Sequence, residues 1–154
     1  MLVNELEIIV YPTCGPWRSE ITANPTWQQI EDAIRQLDRH GYPFANLFLP
    51  PPKLETELQS LEIIGGLGEY GILAFDSKHC QLQWYCDPSR PDGPDLVEIW
   101  TSDQGAEFEE RYLCNKLATV FRVAKHFAYT GKLDPSVGWE DWPPAKFRSP
   151  KTTN

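Results

Sequence analysis

Between residues 58 and 113 the chain breaks into short apolar runs at roughly ten-residue intervals, each closed by turn-forming residues. The runs are 58–64, 71–75, 82–86, 96–100 and 106–113. The breaks are the glycines at 65–68, Asp76-Ser77-Lys78, the proline-rich 87–95 segment, and Ser102-Asp103-Gln104-Gly105. Such spacing describes an antiparallel meander. Ala106–Leu113 (AEFEERYL) tolerates a helix by composition, but the Ser-Asp-Gln-Gly turn before it favours a strand. Upstream, 5–10 reads as a first strand, and 44–49 as another, stopped by Pro50-Pro51-Pro52.

Two helical patterns flank this series. Thr26 and Gln29 have the spacing of a capping box, while Asn24 followed by Pro25 is an equally good start. From there Trp27, Ile30, Ala33, Ile34 and Leu37 form one apolar stripe, with Gly41 placed to close the helix. The second helix carries Leu117, Val120, Phe121, Ala124, Phe127 and Ala128 on one face and meets Gly131 at its end. The expected fold is α+β: one domain over 1–142, an antiparallel meander with both helices packed on one face. The Pro- and Lys-rich 143–154 reads as a loose tail.

Gly66-Leu67-Gly68-Glu69-Tyr70-Gly71 is a literal G-x-G-x-x-G. In a dinucleotide-binding unit that motif must follow a strand and open a helix, whose N-terminus receives the pyrophosphate. Here the next residues are a five-residue apolar run, Ile72-Leu73-Ala74-Phe75 following on Gly71, closed by a turn. The glycines therefore read as a tight hairpin turn, where positive φ is needed.

The 154 residues carry a net charge of −8, unevenly spread. From Glu55 to Glu110 there are thirteen acids and two bases, whereas from Arg111 onward three acids face eight bases. An acidic middle repels phosphates, which disfavours nucleic acid as a partner and suits a basic protein. No apolar run reaches the roughly 20 residues of a membrane helix. Nor does the N-terminus look like a secretory signal, so a cytoplasmic protein with reduced thiols is expected.

No catalytic constellation stands out. Cys14, Cys80, Cys86 and Cys114 lack a zinc-finger spacing, and Cys80 and Cys86, placed on one strand, lie too far apart to share an ion. Cys14-Gly15-Pro16 is followed by Trp17 instead of a resolving thiol. None of His40, His79 and His126 adjoins a Ser or Cys in a nucleophile-elbow context. Glu109 and Glu110, adjacent on a strand, point to opposite faces. The most partner-like feature is Trp84-Tyr85 beside the stiff acidic loop Asp87–Asp95. Trp84 has two roles open to it, core or anchor.

The C-terminal LATVFRVAKHFAYTGKLDPSVGWE runs a helix with Phe127 into Thr130-Gly131, then through Pro135 to Val137-Gly138-Trp139-Glu140. Upstream stand the Trp27 helix, a strand, Ile63-Ile64-Gly65-Gly66 and Gly71-Ile72-Leu73-Ala74-Phe75. From Trp27 to Glu140 this order resembles the first-numbered immunity protein family of bacterial polymorphic toxin systems. The resemblance implies a non-enzymatic α+β cytoplasmic protein, without metal or cofactor, that neutralises a cognate toxin domain, commonly a nucleic-acid deaminase. It carries over no contact residue. Charge nominates Asp87, Asp92, Asp95, Glu98, Asp103, Glu107, Glu109 and Glu110 against a basic toxin surface, with Trp84 and Tyr85 as anchors. The rival expectations are a structural or adaptor protein, and a metal protein built on the thiols and histidines.

Overall fold

A computed structural model describes residues 1–51, 58–93 and 95–142. The expected tail at 143–154 lies outside the described residues. Strands β1 (Glu5–Val10), β2 (Arg18–Ala23), β3 (Phe44–Phe48), β4 (Leu58–Gly66), β5 (Glu69–Asp76), β6 (Gln81–Cys86) and β9 (Gly138–Trp142) form a seven-stranded antiparallel sheet in the order β2-β1-β3-β4-β5-β6-β9. Strands β7 (Leu96–Trp100) and β8 (Ala106–Glu109) form a separate two-stranded hairpin, and helices α1 (Trp27–Gln36) and α2 (Leu117–Thr130) complete an α+β fold.

Period-two alternation sorts the sheet into two faces. Cross-strand registers align Leu6, Leu47, Leu61 and Ala74 in one row and Ala45, Ile63 and Ile72 in the next. All seven are at most 2% exposed. Both helices cover this face, with Ile30 and Ile34 from α1 and Val120, Ala124 and Phe127 from α2 in the same buried cluster. Burying one such side chain contributes about 1.5–3 kcal/mol. The helix ends are local in origin. Thr26 caps α1 by accepting from the Gln29 N–H while Gln29 Oε1 accepts from the Thr26 N–H at 2.8 Å. Gly131 stops α2 in the left-handed conformation, its N–H returning to Phe127 O at 2.8 Å.

Gly41 does not close α1. The helix stops at Gln36 because Leu37 is already extended (ψ 128°), and the Asp38 carboxylate collects the N–H groups of His40 and Tyr42 to shape the bend into β3. The glycine fingerprint is the β4–β5 turn: Leu67 and Gly68 take φ of 53° and 91°, the two left-handed positions of a tight hairpin.

The opposite face belongs to the β7–β8 hairpin. These strands leave the meander and lie across it, with Ile99 seated over Gly71. A Cβ at Gly71 would stand 2.8 Å from Trp84 Cζ2 and 2.9 Å from Ile64 Cγ2, so only glycine leaves room for the hairpin. The expected strand at 106–113 is half right. It ends at Glu109, and a 3-10 turn over Glu110–Tyr112 redirects the chain so that Cys114 can bridge Tyr70 through paired backbone hydrogen bonds of 3.0 and 2.7 Å. Cys80 is not on a strand either; it sits in the β5–β6 turn at φ 49°. Two edge strands, β2 and β9, were not anticipated, because RSEITA and GWEDW lack a clean apolar alternation.

Candidate functional site

The hairpin turns its apolar residues inward and its carboxylates outward. Val97 opposes Phe108, and Phe108 stacks on Trp84 at 4.5 Å between centroids. A register shift between Glu98 and Trp100 lets consecutive residues, Ile99 and Trp100, both turn inward. Ile99 is fully buried, and the Trp100 ring meets Phe44 edge-on at 5.0 Å. Outward, Glu98 stands directly opposite Glu107, both exposed. Like charges in such a pair destabilise a sheet, so stability alone does not explain them. Exposed Asp95 and Asp103 flank them at the two ends of β7. Arg39, tucked under the hairpin, donates to the carbonyls of Gly66 (2.7 Å), Leu67 (3.1 Å) and Glu98 (3.4 Å), not to these carboxylates.

The other nominated acids are occupied. Asp87 accepts from the Ser89 N–H (3.0 Å) and hydroxyl (2.6 Å), contacts that hold its carboxyl below the usual range against burial. Asp92 pairs with Arg111 at 2.8 Å, and Glu110 lies 3.5 Å from Arg90, which grips Glu69 with two 2.9 Å bonds. These contacts tie Arg90 and Asp92 to the body of the domain. Glu109, opposite Leu96, is partly buried. Trp84 and Tyr85 are core residues, 4% and 6% exposed, so neither presents a ring to a partner. Trp84 Nε1 donates to Tyr112 O at 2.8 Å.

Next to the hairpin tip the same face of the sheet stays open. A cleft of about 210 Å³ is lined by Ile9, Tyr11, Trp17, Phe44, Asn46 and Glu62. Glu7, Asn46 and Glu62 occupy one cross-strand row on β1, β3 and β4. Asn46 Nδ2 donates to Glu7 at 3.2 Å, while Asn46 Oδ1 is buried without a hydrogen-bond partner. Burial, and then the Glu7 charge, push the Glu62 carboxyl up to about 7. Tyr11 reaches from the cleft to Asp103 at 3.4 Å, joining it to the acidic hairpin. Sequence reasoning passed over these residues, yet both acids sit in the same tetrapeptide, Leu6-Glu7-Ile8-Ile9 and Leu61-Glu62-Ile63-Ile64. An acid inside an apolar strand run, twice, is the signal that marks them.

A second hollow, of about 290 Å³, lies between the end of β6 and the start of α2 and includes Cys86, Cys114 and Arg122. Burial raises both thiols above their ordinary range, which keeps them protonated and poor nucleophiles. Among the described residues no group of three or more His, Cys, Asp or Glu could hold a metal ion. None of their helices is long and apolar enough to cross a membrane.

No protein-family model matches the chain, and no curated protein does. A crystal structure of a hypothetical protein from Neisseria gonorrhoeae is similar in fold, with a TM-score of 0.58 at 12% identity over 85% of this chain and 90% of that one. At that identity the likeness speaks for the fold alone.

Proposed function

We propose that the chain is an immunity-type inhibitor that binds a cognate toxin domain stoichiometrically, without catalysis or cofactor. The observation that carries this reading is the outward acidic array of Asp95, Glu98, Asp103 and Glu107 on a hairpin that packs apolar side down. A toxin that works on nucleic acid presents a basic substrate groove, and an acidic ribbon can occupy it. Opposed fields raise association toward 10⁸–10⁹ M⁻¹s⁻¹, from about 10⁵–10⁶ without steering. Protection calls for a Kd of about 1 nM or below, which charge alone does not supply. With Trp84 and Tyr85 in the core, the apolar anchor on this surface is Leu96, 53% exposed beside Glu98. The order of elements from Trp27 to Glu140 supports the same reading. Such an inhibitor would act in the cytoplasm of the producing cell.

The test is binding to the toxin domain encoded beside this gene. Replacing Asp95, Glu98 and Glu107 by Lys together should weaken the complex at least tenfold at low salt, mostly through slower association. An unchanged Kd would remove the acidic ribbon from the account.

A further inference from the structure

The cleft beside the hairpin is built of acceptors that lack donors. Asn46 has its amide orientation set by Glu7: Nδ2 faces that carboxylate at 3.2 Å, and turning the amide over would bring oxygen against oxygen. Its Oδ1 is thereby committed to the other side, buried and unbonded. Glu62, its cross-strand neighbour, lines the cleft with no hydrogen-bond or ion-pair partner among the described residues. A buried acceptor left unmade is destabilising, and an unpaired buried carboxylate more so. None of the six lining residues is basic, and three are aromatic: Tyr11, Trp17 and Phe44. Trp17 is 55% exposed, at the rim, where an indole has no packing reason to stand.

We propose that this cleft binds a guanidinium group, with Glu62 and Asn46 Oδ1 taking its N–H donors and the aromatic rim receiving its planar face. A guanidinium is flat, permanently charged and carries five donors in a fixed fork, the complement of a carboxylate beside a carbonyl oxygen with aromatic walls. A divalent cation fits poorly, since it wants several converging oxygens and gains nothing from aromatic walls. The proton and the guanidinium compete for the same row. A protonated Glu62 supplies an O–H of its own, whereas an ionised one leaves only acceptors. The charged and titratable groups near Glu62 are Glu7 across the row and Tyr11 in the cleft lining, whose hydroxyl donates to Asp103. All are acidic, so binding strengthens as pH rises through the Glu62 titration. This site stands apart from the inhibitor reading: a free small guanidinium compound would satisfy it with no protein partner.

The experiment is an NMR titration of the whole chain with methylguanidinium chloride at pH 8, against sodium chloride and methylammonium chloride at the same ionic strength. The Trp17 indole N–H and the Asn46 side-chain amide should shift saturably, with a Kd of roughly 1–10 mM. Methylammonium should bind at least threefold more weakly. Glu62→Gln should weaken methylguanidinium at least fivefold while leaving the rest of the spectrum in place. Trp17→Ala, at an exposed position that folding tolerates, should weaken it two- to fivefold. A blocked Gly-Arg-Gly peptide separates the sources. Binding comparable to methylguanidinium means a polypeptide can deliver the group, and its exclusion means a small molecule does; either result keeps the site. Shifts that merely follow salt, equal affinity for methylammonium, or affinity unchanged in both variants would overturn the assignment.

Discussion

The two faces of the sheet obey different rules. Under the helices, rows of Leu, Ile and Ala interlock with Ile30, Ile34, Val120 and Phe127. Under the hairpin, aromatic rings stack, yet the surface above them carries Glu98 opposite Glu107. The open half beside it leaves Asn46 Oδ1 unpaired and Glu62 ionising near neutrality. One face is organised for stability. The other tolerates groups that stability would discard, and such tolerance is a mark of a working surface.

Core truncation separates the faces most strongly. Phe127→Ala should cost about 3–5 kcal/mol, as for a fully buried aromatic, whereas Phe108→Ala in the hairpin should cost roughly half that. Chemical denaturation of both variants measures it, and equal losses would erase the distinction. Gly71→Ala comes next. Its Cβ would push against Trp84 and Ile64 under Ile99, so a loss of about 1–3 kcal/mol is expected, with faster amide exchange confined to β7 and β8. Faster exchange spread through β4 and β5 as well would mean that the hairpin and sheet are one cooperative unit.

Glu62→Gln acts in the opposite direction. The folded-state carboxyl titrates at about 7, above its value of 4.5 when unfolded. The stability it contributes is therefore complete below about pH 4.5 and is lost as pH rises through 7. The variant should accordingly be more stable than the parent at pH 8 by on the order of 1–3 kcal/mol, with the advantage gone at pH 4. Thermal unfolding of the two proteins across that range reads the sign directly. The smallest effect belongs to Glu98→Lys, which turns a repulsive cross-strand pair attractive and should add about 0.2–1 kcal/mol, less in high salt. A clear loss there would show that Glu98 is held in place by something other than the hairpin.

Much of the helix-covered face was legible because periodicity and capping are local. Thr26 with Gln29, and Gly131 after Phe127, announce their helices, and the apolar strand runs supply the rows beneath them. The working face was less so. Asp87, Asp92 and Glu110 look identical in sequence to Asp95, Glu98 and Glu107, but Ser89 holds Asp87, Arg111 holds Asp92 and Arg90 lies against Glu110. Which acid meets which arginine depends on where the β7–β8 hairpin and the 3-10 turn after it fold back onto the sheet, a long-range property that composition does not encode. Trp84 was pulled inside by the same folding back, because the hairpin brings Phe108 onto its ring. Glu7 and Glu62 lie 55 residues apart in the chain and meet only through β3, so their shared row appears once the register is known.

The account rests on the partner arriving at the hairpin face. Cross-saturation NMR on the complex with the adjacent-gene toxin domain tests this most directly, since irradiating the partner dims only amides at the contact. Attenuation should concentrate at 95–109. Attenuation confined to the outer surfaces of α1 and α2, with the hairpin unaffected, would contradict it.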